Sequence, residues 1–423
     1  MGELVWVRER GRIELVVDAP SKVRSAVLNP VHRLVYVSNL KVPWWVKRTG
    51  QRVVYRTPIS LHQEGDKVFS GPVFGILAGA GNHSFIGSRL NFRDIMQTAG
   101  QQGKFVYVVA PEYVTEQSTW QGYVRLGYQH WIRIPCPRPE AIYNRIPTRL
   151  HERQAPVLTA KQRLSRMGIP MFNANYFNKA EIYDVIRRSS LAKYLPETSN
   201  QFSQASLHGM LRKNHAVYLK PTGGSIGHGM ILIRRDGRGY TVRVLKNSSG
   251  NNYTAGSVRD LWDVVTRHRV PGKYVIQAAK PLLEWHGRPC DFRVLLQKHR
   301  GNWHLVGKGV RVAGPNSITT HVPNGGSIAN AKEVLEEAFG SGSTEVSHNL
   351  ETMTVGCAEV IDAHFGHSLG EMSMDIGIDS DGNLWFFEAN AKPMKFDEPD
   401  IRRKSLLGVI ARLDELRKPR RVG

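Results

Sequence analysis

The pattern of apolar and polar positions divides the chain into three parts, beginning with a β-rich stretch. Residues 1–70 carry short β-branched or aromatic runs at 15–17, 33–37 and 52–56, separated by Pro, Gly and Asn turns. Such runs are typical of strands, because branched and aromatic side chains suit a pleated, half-buried surface. We expect a small β barrel or sandwich here, without residues that indicate chemistry.

Near Pro72 the pattern changes to that of a parallel sheet covered by helices. Apolar runs at 73–77 and 105–110 flank a glycine-rich turn and a helical stretch at 89–100, which together predict a βαβ unit. The turn Gly79-Ala-Gly-Asn-His-Ser lacks the third glycine of a dinucleotide-binding fingerprint, so the sequence disfavours a dehydrogenase.

A basic loop with Arg145 and Arg149 follows a further strand predicted at 141–144. Open α/β sheets bind ligands at the carboxyl ends of their strands, so these arginines are candidate contacts to an acidic substrate. A solvated basic loop explains the same residues equally well.

A glycine-rich loop between two strands indicates a nucleotide site. The strands are predicted at 215–221 and 230–234, after helical stretches at 157–167, 179–190 and 204–213. Glycines let backbone N–H groups approach phosphate oxygens, and Lys220 adds a positive charge at the end of the first strand. The loop is not a P-loop, because no Lys-Ser or Lys-Thr pair follows its last glycine and no helix follows it. The alternative is a glycine-rich hairpin with an incidental lysine.

Two arginines lie in strands that look buried. After a strand at 273–279, alternating antiparallel strands at 291–297 and 303–311 contain Arg293 and Arg311. Burying an arginine is costly unless it faces an anion, so we expect both to contact negative groups. Later helices are predicted at 330–339, 349–365 and 400–417.

A hairpin near the carboxyl end presents three oxygen-bearing side chains. Strands at 374–378 and 384–388 flank an Asp-Gly turn, which supplies the positive φ of a tight hairpin. Asp375 lies on the first strand, and Glu388 and Asn390 share one face of the second. Two carboxylates and an amide suit Mg²⁺, whose octahedron phosphates and waters complete. A solvated strand end is the alternative for Glu388, although an acid that ends an apolar run is expected to be buried and paired.

Composition describes a globular protein with a strong positive charge. Its 423 residues are 41% hydrophobic and 22% charged, which is enough for two or three domains with their own cores. The formal net charge of +22 attracts polyanions, but we recognise no nucleic-acid module and prefer non-specific attraction to dedicated nucleic-acid binding. Three separated cysteines indicate neither disulfides nor zinc. No apolar run reaches membrane-spanning length and no signal pattern is visible, so we expect a cytoplasmic protein without a transmembrane segment.

Six segments, in order, resemble the YheC/YheD family of endospore coat-associated proteins, within the ATP-grasp superfamily. They are residues 143–149, 177–183, 194–198, 218–229, 287–294 and 388–393, and the match runs from about residue 72 to 413. The resemblance implies a mixed α+β and α/β architecture, the ATP-grasp fold, in which two α+β subdomains clamp ATP. A βαβ pre-ATP-grasp domain and a small N-terminal β domain would precede it. We place the domains at 1–70, 71–155 and 156–423, and divide the last into subdomains 156–270 and 271–423.

The resemblance also implies roles for individual positions. Nucleotide contacts would be Lys179 and Lys220 on the phosphates, Gly223, Gly224, Ser225 and Gly227 in the flap over them, Gln277, Ala278 and Ala279 at the adenine hinge, and Glu284 on the ribose. Arg293 and Arg311 would contact phosphate and acyl-phosphate oxygens, and Asp375, Glu388 and Asn390 would hold one or two Mg²⁺ ions. Arg145, Arg149, Asn324 and Lys392 are the candidate substrate contacts.

The activity implied is an ATP- and Mg²⁺-dependent ligase that activates a carboxylate as an acyl phosphate and joins it to an amine or thiol. Positioning and charge neutralisation supply the catalysis, so no protein nucleophile is needed. The acceptor could be an acidic peptide or wall fragment, and spore-coat proteins are expected partners. One alternative is a non-catalytic nucleotide-binding protein of spore-coat assembly; another is a kinase, which would need a hydroxyl acceptor.

Overall fold

The computed structural model describes residues 1–21, 34–127, 130–222, 228–246, 249–314, 320 and 326–417. Its first part is β structure, as expected, in two sheets ordered β2-β1-β5 and β4-β3-β7-β6. The strands are β1 (Gly2–Glu9), β2 (Arg12–Asp18), β3 (Leu34–Val37), β4 (Leu40–Pro43), β5 (Arg52–Ile59), β6 (Leu61–Glu64) and β7 (Lys67–Ser70). Trp6 is fully buried where the first sheet packs on the next domain, and its Nε1 donates to the carbonyl of Pro135 at 2.6 Å.

The second part is a six-stranded sheet of order β13-β12-β11-β8-β14-β15. Its elements are β8 (Val73–Leu77), β9 (Gly79–Ala80), β10 (Phe85–Ile86), α1 (Arg89–Gln101), β11 (Phe105–Val109), β12 (Thr119–Leu126), β13 (His130–Pro137), β14 (Ala141–Asn144), α2 (Arg149–Glu152), α3 (Ala155–Arg166) and β15 (Met171–Phe172). β8 pairs in parallel with β11 and β14, which confirms the βαβ unit. All five residues of β8 are buried, as expected for a parallel strand covered on both faces.

The third part is a twisted antiparallel sheet of order β16-β21-β17-β18-β19-β20. Its elements are β16 (Thr198–Ser199), α5 (Gln204–Lys213), β17 (Ala216–Pro221), β18 (Ile231–Asp236), β19 (Gly239–Lys246), β20 (Ser249–Ala255), α6 (Val258–His268) and β21 (Tyr274–Ala278). Helix α4 (Lys179–Arg187) precedes them in the chain but packs Ile182 and Ile186 into the core of the fourth part. Alternate residues such as Val217 and Leu219 pack against Leu207 of α5 and Leu261 of α6. The opposite face of the sheet therefore carries the polar positions.

The fourth part is a second antiparallel sheet, of order β25-β24-β23-β26-β27, with β22 paired to β23. Its elements are β22 (Glu284–Trp285), β23 (Arg288–His299), β24 (Asn302–Val312), β25 (Ser327–Asn330), α7 (Ala331–Phe339), α8 (Ser343–His364), β26 (Glu371–Ile378), β27 (Leu384–Asn390) and α9 (Pro399–Leu416). Met374 and Ile376 of β26 pack with Leu350 and Cys357 of α8 on the core face. None of the helices in these described ranges is long and apolar enough to span a membrane.

Candidate functional site

A cleft of about 550 Å³ lies between the sheet of the third part and the sheet of the fourth part. Strand alternation builds both walls: Leu219 enters the core of the third sheet, and Lys220 next to it lines the cleft. Gln277 of β21 lines the same wall. The facing wall carries the charged residues Asp291, Arg311, Asp375 and Glu388.

The carboxyl-terminal hairpin brings two of the expected metal ligands together. Asp375 and Glu388 are directly opposite each other in the β26–β27 register, and a bulge follows because Phe387 has no partner. Asn390 lies one pair further along, opposite Ser373, on the same face of β27 as Glu388.

The surroundings of Asp375 are those expected of a magnesium ligand. Asp375 is 7% exposed, and its buried Oδ1 has no hydrogen-bond partner among the residues that are described. An orphaned buried carboxylate oxygen is costly unless a cation reaches it. No group of three His, Cys, Asp or Glu residues in the described ranges could hold a metal alone. Beside a nucleotide, Mg²⁺ typically binds only one or two protein carboxylates, and phosphate oxygens and waters complete its octahedral coordination.

Arg311 bridges two acids on this wall. Its guanidinium meets Asp291 through Nε–Oδ1 at 2.9 Å and Nη2–Oδ2 at 2.6 Å, and Nη2 lies 3.0 Å from Oδ2 of Asp375. Burial works to lower the pKa of Arg311, but Asp375 and Asp291 outweigh it and raise the pKa. Sequence reasoning missed Asp291 as a site residue; the only signal was an acid two positions before Arg293 in a buried strand.

Lys220 is held by a neutral partner. Its Nζ donates to Oε1 of Gln277 at 2.5 Å, and the amide nitrogen of Gln277 donates to Tyr183 Oη at 2.9 Å and Thr198 Oγ1 at 3.2 Å. Burial first, and the charge of Lys179 next, lower the pKa of Lys220 to about 8. The side chain of Gln277 thus positions the phosphate-binding lysine candidate, beyond the adenine-hinge role that we expected for it.

Lys179 reaches the same cleft from the first turn of α4. That helix starts there because the side chain of Asn178 accepts from the backbone N–H groups of Ala180 and Glu181. Lys179 Nζ lies 2.8 Å from Oε2 of Glu388. Ile182 and Ile186 of α4 pack into the core of the fourth part, so this phosphate-binding candidate and this metal-ligand candidate form an ion pair on the same wall of the cleft.

The hinge segment is only partly in the cleft. Ala278 lines it, with Leu282 and Phe386 as apolar neighbours that sequence reasoning did not single out. The amide of Ala278 donates to the carbonyl of Glu197, and that of Ala279 donates to the carbonyl of Ala216. Their N–H groups are therefore engaged within the protein. Glu284 is exposed in β22, opposite Pro289, so its ribose contact stays a prediction.

Arg293 lies next to the metal-ligand candidates but is turned along the strand. It is opposite Asp375 in the β23–β26 register, its Nη2 donates to the carbonyl of Met394 at 3.1 Å, and its guanidinium lies 4.6 Å from the centre of the Phe396 ring. Burial is the main cause that lowers its pKa. Of these two arginines, Arg311 lines the cleft and Arg293 does not.

Two of the candidate substrate residues, Arg145 and Lys392, lie at a junction between the second part and the segment after Asn390. Arg145 contacts Tyr143 Oη at 3.2 Å and the carbonyl of Pro393 at 3.1 Å. Lys392 is buried and bonds to Glu152. Arg149, by contrast, is exposed; its Nη2 donates to the carbonyl of Phe177 at 3.0 Å, and its guanidinium lies 5.6 Å from the centre of the Tyr176 ring. The junction therefore uses Arg145 and Lys392 structurally.

Some predicted positions lie outside the described residues: Gly223, Gly224, Ser225 and Gly227 of the flap, and Asn324. Their roles stay predictions. The roles given above to the remaining site residues are likewise supported by placement alone.

A cleft between two antiparallel α+β lobes, with Lys220 on one wall and the carboxylates and Lys179 on the other, defines an ATP-grasp protein. The family model described as "YheC/D like ATP-grasp" matches residues 168–412, more than half of the chain. The chain belongs to that family.

Curated relatives agree with this assignment. The chain is 29% identical to the endospore coat-associated protein YheD of Bacillus subtilis, over 82% of this chain and 78% of that protein. It is 25% identical to YheC of the same organism, over 50% of this chain and 58% of that one. Among solved structures, D-alanine–D-alanine ligase from Coxiella burnetii aligns over 82% of this chain and 95% of its own, with 10% identity and a TM-score of 0.46. A similarity that low carries no information on activity.

Proposed function

We propose that this protein is an ATP- and Mg²⁺-dependent ligase that activates a carboxylate as an acyl phosphate and joins it to an amine or thiol. The observation that supports this most directly is a single cleft with Lys220 on one wall and Asp375, Glu388 and Lys179 on the facing wall. Acids that collect a divalent cation and lysines that collect phosphate are the two halves of a nucleotide-phosphate site.

Each group has a part in the proposed reaction. Lys220, oriented by Gln277, would hold a phosphate oxygen, and Lys179 would leave Glu388 to hold another. Asp375, kept in place by Arg311, would present Oδ1 to the metal. Mg²⁺ bound there would neutralise charge that develops on the transferred phosphoryl group. Arg311 adds fixed positive charge that needs no rearrangement, which is the preorganised form of electrostatic stabilisation.

The acceptor and the cellular setting are also part of the proposal. Arg149 has donors facing solvent and is the remaining candidate to recognise an acidic peptide or wall fragment. The coat association of the two relatives supports a cytoplasmic protein that acts with spore-coat components.

Hydroxylamine trapping tests the reaction type. Purified protein with ATP, Mg²⁺ and pooled carboxylates should release ADP and form a hydroxamate, because hydroxylamine captures an acyl phosphate. Asp375→Asn should lose both signals by at least about a hundredfold, since one metal-facing oxygen is replaced by an amide. ATP that stabilises the fold without turnover on any acceptor would point to the binding-protein alternative, and ADP formation only with hydroxyl acceptors would point to a kinase.

A further inference from the structure

One end of the β2-β1-β5 sheet carries six exposed cations, which we call the basic tip. They are Arg8, Arg10, Arg12, Lys47, Arg48 and Arg52. The opposite end of this sheet, where Gly2 pairs with Ile59, leads to Ser60, whose amide donates to the carbonyl of Gly103 at 2.8 Å. Along β1, Gly2 and Arg8 are about 20 Å apart at the usual rise of a strand. The basic tip therefore lies at the end of the sheet away from Gly103, and the contact of Trp6 with Pro135 lies between the two ends.

Like charges face each other at the tip, where six cations outnumber two nearby acids, Glu9 and Glu14. Arg8 and Arg52 are direct partners in the β1–β5 register. Glu9 is opposite Arg12, yet its Oε2 accepts from Gln51 Nε2 at 2.9 Å. Like charges directly across a strand pair destabilise a sheet. An external anion would remove that cost.

The tip is also preformed. The Oε1 of Gln51 accepts from Trp45 Nε1 at 3.0 Å and from the amide of Arg48 at 3.2 Å, which fastens the turn to the end of β1. Trp45 packs on Val5 and Val7, on the outer face of the sheet. Val46, which follows Trp45, is left 67% exposed beside Lys47 and Arg48.

We propose that the basic tip docks the protein on a membrane surface rich in anionic phospholipid. Five arginines and one lysine suit phosphate headgroups, because guanidinium groups bind phosphate oxygens in pairs. Exposed Val46 supplies an apolar contact at the boundary between headgroups and acyl chains. A single-stranded nucleic acid would instead favour exposed aromatic faces for base stacking, and Trp45 is engaged by the sheet and Gln51. This inference concerns a surface separate from the cleft and does not rest on the proposed reaction.

Vesicle co-sedimentation of the full chain tests the proposal. Wild type should bind vesicles of 30% phosphatidylglycerol in phosphatidylcholine, should ignore pure phosphatidylcholine, and should be released by 0.5 M NaCl, since salt screens such contacts. The variant Arg8→Gln/Arg48→Gln/Arg52→Gln should bind about tenfold more weakly or worse. The matched control, Arg235→Gln/Arg238→Gln/Arg267→Gln, removes the same charge from exposed positions elsewhere and should bind like wild type.

Two further measurements keep the test decisive. The tip variant should melt no lower than wild type, because the repulsion between Arg8 and Arg52 is relieved. Val46→Ser, a single exposed change, should weaken vesicle binding about threefold and leave folding intact. Equal losses in the tip and control variants would overturn the proposal, since net charge alone would then explain binding. So would tighter binding to DNA than to vesicles at equal phosphate concentration, with Val46→Ser silent.

Discussion

The cleft contains a half-buried lysine, Lys220, and the junction contains a buried one, Lys392; the two are held differently. Burial lowers the pKa of Lys220 to about 8 and that of Lys392 to about 7. Lys220 bonds to the neutral amide of Gln277 and lines an open cleft. Lys392 bonds to the carboxylate of Glu152, and its side chain is 2% exposed.

These surroundings indicate a ligand-binding role for Lys220 and a structural role for Lys392. A cation whose nearest partner is uncharged, next to open volume, gains most when an anion arrives. Glu152 also accepts from Lys161 and from the amide of Tyr176, so the junction satisfies itself. The local sequence around a lysine therefore does not decide its role. Lys220 before the glycine-rich loop and Lys392 in Asn390-Ala-Lys392 are distinguished only by the side chains that they contact.

Removing the charge of Lys220 should give the largest effect. Lys220→Met should lower kcat/KM for ATP by about a thousandfold in a hydroxylamine-dependent ADP assay, because a preorganised charge on the phosphates is lost. Lys273→Met, the same substitution at an exposed lysine directly before β21, is the control and should match wild type. If both variants turned over alike, Lys220 would not belong to the site.

Local sequence predicted the two halves of the site but not their connection. The Asp-Gly turn and strand alternation were enough to place Asp375 and Glu388 together, because both belong to one hairpin. The bond between Lys220 and Gln277 joins strands 57 residues apart, and it depends on a β17–β21 register that no local period encodes. The same limit hid Asp291, whose meaning comes from Arg311 on the neighbouring strand.

The structural interpretation of Lys392 predicts the next effect. Glu152→Gln keeps the shape but leaves Lys392 buried without its counter-charge, and should lower the free energy of unfolding by about 3 kcal/mol. Urea unfolding measures this, and the Kd for ATP should stay within about twofold. Lys161→Gln, at a less buried partner of the same carboxylate, should cost less than about 1 kcal/mol. If Glu152→Gln kept the free energy of unfolding of wild type but bound ATP more weakly, the junction would be part of the nucleotide site instead.

The orienting role of Gln277 should give an intermediate effect. Gln277→Leu removes the acceptor of Lys220 and should lower kcat/KM for ATP about tenfold, which is about one hydrogen bond to a charged group. Tyr183→Phe removes a partner of Gln277 but keeps the bond to Lys220, and should lower it about twofold. If the two variants lost equal amounts of kcat/KM, Gln277 would act on the adenine side of the site rather than through Lys220.

The pH dependence of nucleotide binding is the smallest effect and separates the two lysines directly. Lys220, with its pKa lowered to about 8, is protonated below that value and neutral above it. ATP favours the protonated form, so affinity is lost as pH rises through about 8, and the apparent Kd should increase about fourfold between pH 7 and 8.5. Calorimetric titration in two buffers would also detect the proton taken up on binding. Lys220→Arg keeps its charge over this range and should flatten the profile. If the Kd of Lys220→Arg depended on pH as steeply as that of wild type, another group would be titrating. Lys220 would then, like Lys392, have no demonstrated part in binding ATP.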